Sequence, residues 1–307
     1  MKKGLRITTY VACGVAMIAF SQCNRNKTTD NFDQSPDVIK AEDTSAEDDF
    51  NKSKTIFYTL PSPAEMASII KESGVKFDVD LLNSILQSDR YDSNLKMSLN
   101  LGIYSTDMSI ASIFNQSQKT VDYLNALKKL TDRLGIVQLV NEDIIRKMEE
   151  NKSSREEIMG ITSEVFMNAH QYLNENNRKN VAVMVLIGGW VEGLHLALNM
   201  IDTSRPNASL AERIIAQKMA LTTVMNILET NNVDGTDEDL NYLKAKMEEI
   251  KMIFDEVHVE TSGRVVATTD KETRTTSIKA NTKNEVSTEI LSLLKEKVSE
   301  IRTEFVE

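Results

Sequence analysis

One stretch constrains this chain more than any other: VAVMVLIGGWVEGLHLALNM, residues 181–200. An apolar segment of this length either crosses a bilayer, which takes about 20 residues, or forms a helix buried on every side of a large helical core. Gly189, Gly193 and Ala197 recur at four-residue spacing and make a small-residue face that lets another helix approach closely. Against insertion, Glu192 sits near the middle, His195 and Asn199 follow it, and no basic flank fixes an orientation. A carboxylate at mid-bilayer costs about 2.5–3.5 kcal/mol even on the lenient insertion scale. A buried central helix fits better, and the rest of the chain must then supply helices to surround it.

The flanking sequence carries the grammar for that. In TLPSPAEMASIIKESG, Ser62 is a ready N-cap, Pro63 sits at the first helical position, Glu65 completes a capping box, and Gly74 is a stop. Ser154 with Glu157, and Ser209 with Glu212, repeat the pattern. Leu210, Ile214, Leu221, Val224 and Leu228 keep helical spacing in one segment, and Leu240, Leu243, Met247, Ile250 and Phe254 in the next. TNNVDGTDED between them reads as a turn. A last helix from about Val286 puts Ile290, Leu293, Ile301 and Phe305 on one side. The Thr- and Val-rich stretch SGRVVATTDKETRTTSIKAN reads as a two-stranded hairpin around Asp270–Glu272, or as a disordered insert. The expectation is an all-α, multi-helix bundle of about eight helices over 55–307, with a small β-hairpin insert at about 262–280. One large domain or two smaller bundles are both open, and no internal repeat is visible.

Ahead of the body, MKKGLRITTYVACGVAMIAFSQC has a positive start (Lys2, Lys3, Arg6) and a short apolar run from Ile7 to Phe20. Small and polar residues then lead to Cys23, the layout of an export signal. In a bacterial lipoprotein signal such a cysteine becomes the acylated first mature residue. Phe20 and Gln22 depart from the usual lipobox, which has a branched aliphatic at −3 and a small residue at −1. A plain cleaved signal and a retained anchor are the alternatives. Residues 1–22 read as a lipoprotein signal peptide, Cys23 as the lipidation site, and residues 23–54 as a polar tether too poor in apolar residues to fold. The tether would hold the body roughly 30 Å from the lipid.

Charge and cysteine usage exclude several classes. The chain carries 36 basic and 46 acidic residues, and removing residues 1–22 moves the net charge from −10 to −13. Nucleic acid and anionic headgroups need clustered Lys and Arg, so neither suits this body. Cys13 and Cys23 are the only cysteines, so the body has no disulfide, zinc–thiolate set or thiol nucleophile.

LNLGIYSTDMSIASIFNQSQKTVDYLNALKKLTDRLGI, followed by VLIGGWVEGLHLALNM and the ending VSEIRTEF, resembles a group of helical lipoproteins from Bacteroidota that has no assigned activity. The similarity extends over most of residues 55–307. It implies helical architecture, a lipoprotein-type signal and an outer-membrane location, with no mechanism, cofactor or catalytic residue. Which membrane face the protein occupies stays open, because Asn24-Arg25-Asn26-Lys27 lacks the acidic residues that favour surface export in this phylum.

Chemistry has few places to live. Glu192 and His195 make a Glu-x-x-His pair like those of di-iron bundles, and Asp255 with His258 repeats the spacing. Such a site also needs two further glutamates, and nothing singles out candidates such as Glu164. A satisfied buried pair and a surface histidine are the plainer reading, so no metal ligand is assigned. Asp107, Asn115, Gln118 and Asp122 fall along one helical face, with Tyr104 just before. That face is either solvated or meets Glu192 and His195 in an interior ligand pocket with Trp190 as a wall. SNLK (Ser93 to Lys96) and SLLK (Ser292 to Lys295) match Ser-x-x-Lys, but the accompanying Lys-Thr-Gly is missing. Nucleophile-elbow, Walker and dinucleotide-binding signatures are absent. The expectation is a lipid-anchored envelope module that binds an unknown envelope protein or small ligand, without catalysis or cofactor. The rival is a metal- or ligand-dependent helical enzyme centred on Glu192 and His195.

Overall fold

The computed structural model describes residues 60–151, 154–202, 208–257, 265–270, 275–280 and 287–307. The signal, Cys23, the whole tether to residue 54 and His258 lie outside the described residues. The described part is mostly helical: α1 Pro63–Glu72, α2 Asn94–Ile113, α3 Ser117–Arg133, α4 Glu142–Glu150, α5 Arg155–Glu175, α6 Lys179–Met200, α7 Ala208–Asn231, α8 Glu238–Asp255 and α9 Thr288–Val306. Short 3-10 turns at Val79–Leu81 and Ile85–Gln87 join α1 to α2, and another at Val137–Val140 precedes α4. Between α8 and α9 the backbone pairs Val265–Asp270 (β1) antiparallel with Thr275–Ala280 (β2), with Val265 opposite Ala280. All described residues fall in one compact unit.

The apolar segment is the centre of the body. α6 is long and apolar enough to cross a membrane, yet its apolar window is entirely buried by the protein itself. Helices α1, α2, α5, α7 and α9 pack around it. Its closest neighbour is α2, and glycines on both helices permit the approach. A Cβ on Gly102 would sit 2.0 Å from the carbonyl oxygen of Val185, and one on Gly188 would sit 2.0 Å from that of Leu99. Neither could be absorbed by a side-chain shift, because the atoms met are backbone. Of the expected small-residue face, Gly193 faces the Met66 side chain of α1, and Gly189 lies against Gly102 and Thr106. Thr106 Oγ1 donates to the Gly189 carbonyl at 3.1 Å, a polar stitch across the helix pair.

Local signals place most helix ends. Ser62 and Glu65 make both bonds of the capping box, at 2.7 and 3.2 Å, and Gly74 follows α1 with positive φ. Ser154 accepts from the Glu157 amide at 3.4 Å ahead of α5. Ser209 is different: α7 starts at Ala208, so Ser209 lies within the first turn rather than at the cap. Asp237 caps α8, with Gly235 at positive φ in the preceding turn. In α9 the buried stripe is Leu291, Leu294, Val298, Ile301 and Phe305, all fully covered, while Leu293 is 40 % exposed. The expected face therefore holds at Ile301 and Phe305 but is rotated at its start.

The larger correction concerns residues 104–122, expected to form one continuous helical stripe. The helix stops at Ile113. Asn115 takes a left-handed conformation (φ 59°), the Gln116 amide donates back to the Ala111 carbonyl at 2.8 Å, and α3 begins at Ser117. This is a Schellman stop, built on asparagine, which with aspartate enters that region more readily than other residues that carry a side chain. Asp107 is consequently separated from Gln118 and Asp122, which bond each other at 2.9 Å on the exposed side of α3.

Candidate functional site

The side chains worth testing gather where α2, α6 and α9 meet the 3-10 turns. Asn100, Tyr104 and Asp107 lie at i, i+4 and i+7 on α2, a single face, and all three are fully buried. Opposite them, Glu192 projects from the middle of α6 and is also fully buried. The C-terminal helix closes the group. Arg302 donates from Nε to Glu192 Oε2 at 2.9 Å and from Nη2 to Oε1 at 3.1 Å, a bidentate, charge-assisted pair. The guanidinium side chain retains only 14 % exposure.

Asn83, between the two 3-10 turns, ties this centre together. Its backbone amide donates to Asp107 Oδ2 at 3.0 Å, and its side-chain amide donates to Tyr91 Oη and Asn100 Oδ1, both at 3.0 Å. Tyr123 of α3 donates to the Asn83 carbonyl at 2.8 Å, and Tyr104 to the Ser84 carbonyl at 2.8 Å. Asn100 donates onward to the Phe305 carbonyl at 2.8 Å in α9. Tyr104 stacks obliquely between Tyr91 and Tyr123, with ring centres 6.3 and 5.7 Å away. Except at Asp107 Oδ1, which no donor reaches, these buried polar groups find partners in other elements, the condition under which such groups can be buried.

The electrostatics follow from burial. Asp107 is held well above the ordinary carboxylate range, first by burial and then by the charge of Glu192 beside it. Burial also raises the phenols of Tyr91, Tyr104 and Tyr123. Burial alone would lower the Arg302 guanidinium, but the charge and hydrogen bonds of Glu192 outweigh it and raise the group. Desolvation lowers His195, more than Glu192 raises it.

The structure brings together three of the six pocket candidates and separates the others. Tyr104, Asp107 and Glu192 share the cluster. His195 points to a different set: its Nδ1 lies 3.2 Å from both Asn199 Nδ2 and Ser299 Oγ. Asn199 Nδ2 also donates to the His195 carbonyl at 2.9 Å and lies 3.3 Å from Ser299 Oγ, and because that hydroxyl can donate or accept, either ring tautomer fits the set. Trp190 is two residues from Glu192, hence on nearly the opposite side of α6, where its indole donates to Gln217 of α7 at 3.1 Å. Asn115 is exposed at the stop after α2.

A surface cleft of about 660 Å³ opens elsewhere, between α1 and α5, with Leu60, Ala64, Ile69, Glu72, Met159 and Ser163 on its walls. An apolar cavity of about 40 Å³ lies among α2, α3, α5 and α6. Neither is lined by Glu192 or Asp107.

Other motif residues are spent locally. Among the described residues no group of three or more His, Cys, Asp or Glu side chains could hold a metal. Glu164 is exposed, and Asp255 pairs at the surface with Lys251 and Lys218. Ser93 of SNLK is the N-cap of α2, accepting from the Lys96 amide at 3.1 Å, and Ser292 of SLLK bonds the Thr288 carbonyl at 2.9 Å.

Sequence reasoning missed Asn83, Tyr91, Asn100, Tyr123 and Arg302. Asn100 was legible as the next member of the Tyr104–Asp107 face. Arg302, four residues after Val298, lies at the edge of the α9 stripe. Asn83 and Tyr91 sit in irregular backbone, where spacing carries no signal. Compared with family models, with curated proteins and with solved structures, the chain finds no match.

Proposed function

We propose that this protein is a lipid-anchored component of a bacterial cell envelope, acylated at Cys23, whose helical body binds or scaffolds rather than catalyses. Support for the anchor comes from the sequence: a positive start, a short apolar run and a cysteine, followed by a polar tether. One observation carries the reading of the body. Both oxygens of Glu192, the most chemical-looking group in the chain, are taken by Arg302. The charge of that carboxylate is already answered by a guanidinium, which disfavours a metal cation at the same group. The rival, an enzyme centred on Glu192 and His195, also loses its geometry, because His195 bonds Asn199 and Ser299 instead. The hairpin insert at about 262–280 belongs to the same proposal, as an appendage of the helical body, and so does kinship with helical lipoproteins of Bacteroidota.

Palmitate labelling with membrane fractionation tests the anchor. Cys23→Ala is expected to abolish labelling and release the chain from the membrane fraction. A variant that still labels and still pellets would refute lipidation. Elemental analysis tests the body: one or two iron, manganese or zinc ions per chain, lost in Glu192→Ala, would overturn the non-catalytic reading.

A further inference from the structure

We infer that Asp107 and Glu192 hold one proton between them in the folded protein, Asp107 acting as a neutral acid that donates to the Glu192 carboxylate while Arg302 caps the pair from the last helix. Three observations converge on it. Both carboxyl groups are fully buried, and one guanidinium serves them, with Nε and Nη2 both committed to Glu192. Two ionised carboxylates would leave an uncompensated negative charge in the core, which proteins avoid by keeping a proton.

Next, the donors are accounted for. Asp107 Oδ2 receives the Asn83 amide, but no donor reaches Oδ1, although that atom is buried. The surrounding protons are already directed elsewhere. Tyr123 donates to the Asn83 carbonyl and Tyr104 to the Ser84 carbonyl. Tyr91 accepts from Asn83, and its own proton faces Tyr104 Oη at 3.5 Å. From α6, His195 is turned to Asn199 and Ser299, and from α1 it is the uncharged Met66 that meets α6.

Finally, Glu192 is a close neighbour of Asp107: after burial, the charge of Glu192 is the main cause that holds the Asp107 carboxyl up. Two neighbouring carboxylates repel, whereas an acid and a carboxylate can share a hydrogen bond. A proton on Asp107 Oδ1 supplies the missing donor and removes the excess charge in one step. The linkage has a definite sign. A carboxyl raised on folding contributes stability that is complete below its unfolded value and is lost as the pH climbs through the folded one.

The test uses the full chain with aspartate labelled at its side-chain carboxyl carbon. One aspartate resonance is expected to stay in the protonated position at neutral pH, and to vanish in Asp107→Asn. In that variant the amide oxygen can still accept from Asn83 and the amide nitrogen can still donate to Glu192. Its urea midpoint should therefore approach that of wild type in mild acid and rise above it as the pH increases, the gap widening with each pH step. Absence of any protonated aspartate at neutral pH would overturn the inference. So would an Asp107→Asn midpoint displaced downward by the same amount at every pH. If Asp107→Asn fails to fold, the wild-type carbon titration decides alone.

Discussion

Arg302 reaches across 110 positions of sequence to hold Glu192 by two hydrogen bonds. The pair fastens the last helix to the middle of the central one. Removing one partner of a buried pair strands the other, which typically costs about 3–5 kcal/mol. Glu192→Ala and Arg302→Ala are each expected to lose that much in urea unfolding, and the double variant to lose clearly less than their sum. The corresponding cycle between Glu192 and His195 should show much weaker coupling, since no hydrogen bond joins them. A Glu192→Ala midpoint equal to that of wild type would contradict the buried assignment.

The α2–α6 contact is set by backbone approach, so it should be intolerant of a single methyl. Gly102→Ala and Gly188→Ala would each place a Cβ 2.0 Å from a carbonyl oxygen. The helices must separate, and a loss above about 3 kcal/mol is expected, at or beyond the upper end of ordinary overpacking. Gly160 in α5 is the control, with nothing within 4 Å of its Cβ position. Gly160→Ala should stabilise by up to about 1 kcal/mol through helix propensity. Thermal unfolding of the three variants reads out both signs.

Tyr123→Phe removes a donor from the Asn83 carbonyl and leaves that buried oxygen unpaired. A loss of about 1–3 kcal/mol is expected. Tyr242→Phe, whose hydroxyl bonds Glu304 at a partly exposed site, should cost less. Equal denaturant midpoints for the two variants would argue against the buried hub at Asn83.

His195 and Asp107 should tilt the pH profile in opposite directions. His195 is lowered by burial, so below its unfolded value the unfolded chain binds the extra proton. Stability then rises with pH up to about 6.5 and is lost on acidification below it. Replacing His195 by Gln should flatten the acid side of the profile. Asp107, raised on folding, makes stability fall as the pH rises. Urea midpoints for His195→Gln and Asp107→Asn between pH 5 and 8 should therefore depart from wild type with opposite slopes.

How much of this was readable from residues alone differs by element. The apolar run at 181–200 announced a helix covered on all sides, because its one central charge argued against lipid and its glycines argued for a close neighbour. The stripes of α7 and α8 were equally plain, since repeated apolar spacing survives any tertiary arrangement. The stop at Asn115 was missed because an asparagine in a run of good helix spacing looks like a polar surface residue. Its left-handed backbone is a local conformational choice that spacing does not report. For the site, the sequence offered Glu192 a partner on the next turn, His195. The true partner, Arg302, comes from a helix far along the chain. Long-range pairing of this kind leaves no mark on periodicity, and an arginine beside an apolar stripe is ordinarily a solvated flank.

The arrangement of α6 has a consequence for how the chain is made. Five helices cover it, and one of them is α9, whose buried residues run to Phe305. A growing chain that has passed Met200 carries the most apolar helix of the protein with part of its cover still unsynthesised. Exposed surface of this kind is what drives aggregation of incomplete chains. The core cannot close, and Glu192 cannot meet its cation, until Arg302 has been added. Release of chains ending before Ile301 should therefore give insoluble protein rather than a smaller folded body.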